Sequence, residues 1–155
     1  MVMNSEGKYG KYIVQQLHEP GHITDEFRAQ YVKFARRILY MDTNVVPGAF
    51  QMNTSWYHNC TPKDELHGEH THDFPEMIGF YGSDPDNPNE LNAEIEFFIE
   101  GEKHLLTKSS LIYMPPDVKH LPLAVVKISK PVFHFSICMN PEYVDKLTHD
   151  QDRNP

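Results

Sequence analysis

The stretch GEHTHDFPEMIGFYG, running from Gly68 to Gly82, holds two histidines and a glutamate at spacings that suit a single metal ion. On an extended strand, alternate side chains share a face, so His70 and His72 point the same way, about 7 Å apart along the strand. Both imidazoles can then converge on one ion at roughly 2.0–2.1 Å. Glu76 follows His72 by four residues, after Pro75, which can offset the strand as it re-enters a sheet, and it brings one anionic oxygen. A third imidazole would complete a set suited to Fe, Mn, Ni, Co, Cu or Zn. His120 is the candidate: it follows the turn signature Pro115-Pro116-Asp117 and opens a new strand that could lie antiparallel beside His70 and His72.

The two segments resemble the two conserved motifs of the cupin superfamily. The first motif has the form HxH, three or four residues, Glu, some six residues, Gly. Here it is His70-Thr71-His72, three residues, Glu76, five residues, Gly82. The second has the form Gly, five residues, Pro-x-Gly, two residues, His. Pro115 and His120 match it in spacing, with Asp117 at the usual glycine, Ser109 at the leading glycine, and Ala124 where an asparagine is usual. Asp tolerates left-handed backbone better than most residues, so Asp117 is a workable substitute. The likeness covers roughly residues 49–139. It implies a cupin jelly-roll β-barrel in which His70, His72, Glu76 and His120 bind one divalent transition metal. It also implies an activity among dioxygenases, isomerases, decarboxylases and lyases on a small-molecule substrate, and pairing into a homodimer.

Other residues could serve such a centre. Residues 132–138 alternate Val132, His134, Ser136, Cys138 against Phe133, Phe135, Ile137. If the first set lines the interior, His134 faces the cavity as an acid–base group. The second, wholly apolar set is an equal claimant. Tyr57 and Tyr113, with Trp56 and Phe80, could line a pocket for a small organic ligand. His67 reads as a loop residue, His104 as solvent-facing, and His58 with Cys60 as a possible outer pair. Glu96 would add a carboxylate if it points inward.

These groups need a scaffold of many short strands. Segments 38–41, 49–58, 70–72, 77–81, 93–100, 103–107, 111–114, 124–128 and 132–139 are mostly rich in β-branched or aromatic residues and bounded by turn residues. That pattern indicates an all-β sandwich or barrel. Before them, residues 11–17 could form a strand. Thr24 with Asp25 and Glu26 starts a helix over about 25–36, its apolar face packing outside the barrel. The expected organisation is one domain, with an N-terminal strand-and-helix extension over 1–45, a barrel core over 46–140 and a polar tail over 141–155.

The bulk numbers agree. Hydrophobic residues make up 39% of the 155 and charged residues 23%, a globular balance. A formal charge of −8 without a basic stripe argues against nucleic acid. No apolar run approaches a membrane span or a leader, and two scattered cysteines fit a reducing compartment, so a cytoplasmic location is expected. The functional alternatives to a metal-dependent enzyme are a non-catalytic metal- or ligand-binding module and a metal-free structural barrel. Fold does not decide between them.

Overall fold

The structure, a computed structural model, describes residues 5–62 and 68–140. Eight strands follow a short 3-10 turn (Gly10–Tyr12) and one helix, α1 (Asp25–Tyr31). They are β1 (Ala35–Met41), β2 (Gln51–Tyr57), β3 (Glu76–Gly82), β4 (Glu90–Ile99), β5 (Glu102–Lys108), β6 (Ser110–Met114), β7 (His120–Ile128) and β8 (Val132–Cys138). They form two antiparallel sheets, five-stranded in the order β1-β2-β8-β3-β6 and three-stranded in the order β5-β4-β7. Tyr57, Ile78, Phe80, Met114 and Val132 from one sheet and Leu91, Ile95, Phe97 and Val125 from the other form a single apolar cluster. No helix among the described residues is long and apolar enough to cross a membrane.

The N-terminal part differs from expectation in two ways. Residues 11–17 form no strand, only the 3-10 turn and an isolated bridge residue at Val14. The helix stops at Tyr31, short of residue 36. Thr24 caps it as expected, its hydroxyl accepting from the Phe27 amide at 3.1 Å. It ends because the next residues are claimed by tertiary pairing: the Phe34 carbonyl accepts from the His58 amide at 2.8 Å, and Ala35 begins a strand registered against Tyr57. Pairing of this kind overrides local helical propensity. The 1–45 segment is thus more than an appendage, since β1 is an edge strand of the larger sheet. Tyr31 and Phe34 reach the core from it, and the Tyr31 hydroxyl bonds to Ser55 Oγ at 2.5 Å. The polar tail over 141–155 lies outside the described residues.

Two turn positions fix the strands around the histidines. A Cβ on Gly82, the last residue of the first motif, would stand 1.9 Å from the Glu90 carbonyl oxygen, so only glycine lets β3 pass the start of β4. Asp117 takes φ 63°, the left-handed conformation for which the second motif usually supplies glycine, and its amide donates to the His72 carbonyl at 2.9 Å. Gly82→Ala should therefore cost about 2 kcal/mol or more in urea unfolding, because backbone must move to admit the methyl group. Asp117→Gly should change stability by less than about 1 kcal/mol, since glycine adopts that φ freely. A Gly82→Ala protein as stable as the parent would contradict the first expectation.

Candidate metal centre

The segment holding His70 and His72 was expected as a strand, and the structure gives it one bridge only: His70 and His120 exchange both backbone hydrogen bonds, each 3.1 Å. That reciprocal pair is the antiparallel contact anticipated for His120, and it sets the two imidazoles side by side, ring centroids 4.5 Å apart. His72 completes the triangle at 5.9 Å from His70 and 4.9 Å from His120. One ring nitrogen from each of the three lies within 4.8 Å of the others, and all three residues are buried.

Each imidazole is held the same way. Nδ1 of His70 meets the Gly68 carbonyl at 3.1 Å, Nδ1 of His72 the Phe74 carbonyl at 2.7 Å, and Nδ1 of His120 the Val118 carbonyl at 2.9 Å. A carbonyl only accepts, so each Nδ1 carries the proton and each Nε2 presents a lone pair. Phe74 adds a second restraint on His72, its ring stacked at 4.3 Å with an interplanar angle of 4°. Backbone acceptors of this kind fix tautomer and ring orientation in metal-binding histidines.

Glu76, the first residue of β3, sits beside two of them, with Oε2 2.9 Å from His72 Nε2 and 3.2 Å from His120 Nε2. If both rings were neutral, two lone pairs would face a carboxylate oxygen. A positive charge between them removes the conflict, either as protons on the rings or as one metal ion. Several imidazolium groups this close inside a buried site would repel and be poorly solvated. Ligand atoms about 2.0–2.2 Å from one ion and at right angles stand about 3 Å apart. The donor set therefore fits a divalent transition metal. Burial alone would raise the Glu76 carboxyl, yet the hydrogen bonds and charges of His120 and His72 outweigh it and hold it down at about 2.

The β8 alternation resolves in favour of the polar set. Val132, His134 and Cys138 are buried, and His134 faces inward between the rings of Tyr57 (5.0 Å) and Phe80 (4.9 Å). Its Nδ1 donates to the Gly79 carbonyl at 3.1 Å, while burial pulls it down to about 4, so it is neutral near pH 7. Burial likewise pushes the Tyr57 phenol well above its ordinary value. Tyr113 is the exception: it is paired with Met77 on the outer face of the sheet and is 61% exposed, so it does not reach the cluster. Strand alternation explains this, since Glu76 and Met114 occupy the inward positions one residue away. Trp56 faces outward too. His58 and Cys60 are exposed, His104 pairs with Glu102 at 3.3 Å, and Glu96 pairs with Lys103 at 3.1 Å. His67 lies outside the described residues.

Two inward residues carried no motif signal. Gln51 and Cys138 are opposite one another in the sheet register, and Cys138 is opposite Glu76, so the three form one row across the inner face. Burial, the Glu76 charge and a hydrogen bond to its carboxylate push the Cys138 thiol up, leaving it protonated. Gln51 is 3% exposed and its Oε1 has no partner among the described residues. Their period-two alternation with Met52 and Ile137 was the only clue available. Away from the histidines, a cleft of about 590 Å³ opens near α1, lined by Phe27, Tyr31, Arg36, Arg37 and His58 among others. Arg37 is engaged there by Glu19 at 2.5 Å and Asn53 at 2.7 Å.

No family model and no curated protein matches the chain. Solved structures do resemble it. Oxalate oxidase in complex with glycolate superposes with a TM-score of 0.51 at 11% identity, over 89% of this chain and 64% of its own. A conserved protein with a double-stranded β-helix domain from Klebsiella pneumoniae gives 0.48 at 13% identity, over 82% and 96%. An RmlC-like cupin from Shewanella frigidimarina gives 0.39 at 14% identity, over 70% and 77%. At such identities the likeness is one of fold alone. What the chain shares with oxalate oxidase is thus its fold, two facing antiparallel sheets, and on their inner side the two motif segments are brought together.

Proposed function

We propose that the chain is a divalent-metal-binding cupin that acts as an enzyme on a small organic molecule, of dioxygenase, isomerase, decarboxylase or lyase type. The observation that carries this reading is the convergence of three buried imidazoles, each with Nδ1 tied to a carbonyl, two of which meet a buried carboxylate that stays ionised. His70, His72, His120 and Glu76 would hold one ion among Fe, Mn, Ni, Zn, Co and Cu. When bound, such an ion polarises a coordinated oxygen as a Lewis acid.

The ligand charges suggest a substrate class. Two positive charges on the ion less the one negative charge of Glu76 leave a positive excess, and His134, Tyr57 and Cys138 are held neutral. A buried positive excess favours an anionic oxygen ligand such as a carboxylate, enolate or phenolate. Around that ligand the chain's own groups divide the work. Cys138 donates to the Glu76 carboxylate and orients it. Gln51 Oε1 is a buried acceptor to which nothing in the described chain donates, so it suits a hydroxyl or N–H of the ligand rather than its anionic oxygen. His134 is the proposed weak base, with Nδ1 anchored on Gly79 and Tyr57 fixing the plane of its ring. The homodimer and the cytoplasmic location stay part of this reading. A non-catalytic binding module is the second reading, and one observation favours it: none of those three neutral groups is poised to exchange a proton near pH 7.

Protein purified without a histidine tag should contain about one equivalent of transition metal by elemental analysis, and His72→Ala should lose it while keeping its far-UV circular dichroism. Less than about a tenth of an equivalent in metal-supplemented preparations would sink the proposal. Turnover of small carboxylic acids and enols that chelation abolishes and metal restores separates the enzyme from the binding module, which would show only ligand-dependent thermal shifts. Gln51→Leu should retain metal and fold, and gain up to about 1 kcal/mol of stability by removing an unpaired buried carbonyl oxygen. It should nonetheless bind a hydroxyl-bearing acid about tenfold more weakly, because the acceptor for that hydroxyl is gone. Unchanged ligand affinity would remove Gln51 from the binding row.

Stability should also depend on pH through His134. An unfolded histidine titrates near 6.5 and His134 near 4, so between these values the unfolded chain binds more protons. Stability is complete above about pH 6.5 and falls as the pH drops towards 4, by on the order of 3 kcal/mol. Glu76 extends the loss: its contribution is complete above 4.5 and disappears towards 2. In denaturant titrations of metal-free protein, His134→Phe should flatten the upper of these two windows only. An unchanged slope between pH 6.5 and 4.5 would refute the assignment.

A further inference from the structure

Arg28, Arg36 and Arg37, every arginine among the described residues, line one cleft; the chain's fourth, Arg153, belongs to the tail. The cleft measures about 590 Å³, within the range of small-molecule sites, and lies at α1 and the start of β1, away from the metal-binding histidines. Every lining residue but His58 comes from positions 17–37, ahead of the barrel core. Among the described residues no lysine and one carboxylate, Glu19, line it, so its walls hold an excess of positive charge on a chain of net charge −8. Asp25, which pairs with Arg28 at 2.6 Å, is 94% exposed and offsets little of that charge. The other walls are largely apolar. Leu17 and Val32 are exposed there, and Phe27 stacks on Tyr31 with centroids 5.7 Å apart.

Arg37 is the fixed point of the cleft. Its side chain is 9% exposed, its Nε donates to Asn53 Oδ1 at 2.7 Å, and its guanidinium lies over the Tyr31 ring at 4.9 Å. Of its terminal nitrogens, Nη1 donates to one oxygen of Glu19 at 2.5 Å. Nη2 has no partner among the described residues and is not sealed off by them. A carboxylate matches the Nη1–Nη2 edge of a guanidinium through both its oxygens, and Glu19 takes only half of that edge.

We propose that this cleft is a second ligand site, for a small organic acid with an aromatic or alkyl body, whose carboxylate displaces Glu19 from Arg37. The ligand's two oxygens meet Nη1 and Nη2, and its apolar body covers Leu17, Phe27 and Val32. Glu19 is the chain's own carboxylate at that position, so the cleft already shows the chemistry it accepts. Its side chain is 32% exposed and stands in a segment without helix or strand, so turning it to solvent breaks no regular structure. None of His70, His72, Glu76 and His120 lines the cleft, and the site stands apart from the metal.

Titration of the full-length, untagged chain with 2-naphthoate tests the proposal, followed by calorimetry and by the arginine Nε–H resonances in NMR. The Arg37 Nε–H signal should shift both with metal present and after chelation. The chelated chain should show one saturable site with a Kd below about 1 mM. Uncharged 2-naphthamide should bind about tenfold more weakly or worse. Glu19→Gln should tighten binding about threefold by removing the competing carboxylate. Arg37→Gln should abolish the heat of binding. Val32→Asp, at a 59% exposed position, should weaken binding about fivefold or more with unchanged far-UV circular dichroism. Binding that disappears on chelation belongs to the metal centre and overturns the proposal. So does a chelated chain without a saturable site, or an amide that binds as tightly as the acid. A Glu19→Gln chain that binds no more tightly than the parent, or a folded Val32→Asp chain that binds as tightly, overturns it as well.

Discussion

Two backbone hydrogen bonds between His70 and His120 hold together segments that belong to different parts of the chain, and the candidate centre depends on them. A doubly bonded antiparallel pair fixes the separation and the facing of its two side chains at once. The imidazoles inherit that geometry, and the Nδ1 contacts with the Gly68 and Val118 carbonyls remove the remaining freedom of the rings. His72 is positioned by a different device, the carbonyl and ring of Phe74. Glu76 then arrives as the first residue of β3, where pairing with Met114 and Cys138 commits its side chain to the interior. Four potential ligands thus come from an isolated bridge, a turn and the start of two strands, each fixed by backbone contacts.

Backbone fixation matters because the same groups are in electrostatic tension. A carboxylate held near 2 between two imidazole Nε2 atoms, whose Nδ1 atoms are already committed to carbonyls, calls for a positive charge among them, as protons on the rings or as one ion. The surrounding interior does not supply one: Cys138 and Tyr57 keep their protons, and His134 stays neutral. The apolar cluster of Phe80, Phe97, Ile95 and Val125 keeps the local dielectric low and so sharpens that tension. The two faces of the larger sheet have divided roles, with the titratable row Gln51, Cys138 and Glu76 inside and an almost uncharged aromatic layer outside.

Much of this was legible in the chain itself. The spacing of His70, His72 and Glu76, and of Pro115 and His120, is set by covalent geometry and by what a strand or tight turn does to successive side chains. Asp117 was readable for the same reason: a left-handed residue is needed there, and Asp is among the few that substitute for glycine. Seven of the eight strands start and stop within three residues of where β-branched, aromatic and turn residues indicate. Local signals of this kind act over a handful of residues, so the sequence carries them openly.

What tertiary structure alone decided is everything that depends on which face a strand turns inward. Alternation in residues 132–138 allowed either set inside, and only pairing with β2 and β3 put His134 in and Phe135 out. The same choice sent Tyr57 to the interior and Tyr113 to the outer face, although both are tyrosines in strand-like segments. Long-range pairing ended α1 at Tyr31 and drew β1 into the sheet, and it reduced the His70 segment to a bridge. A period of two names the partners on a face. It does not say which face meets the core, because that depends on the neighbouring strands.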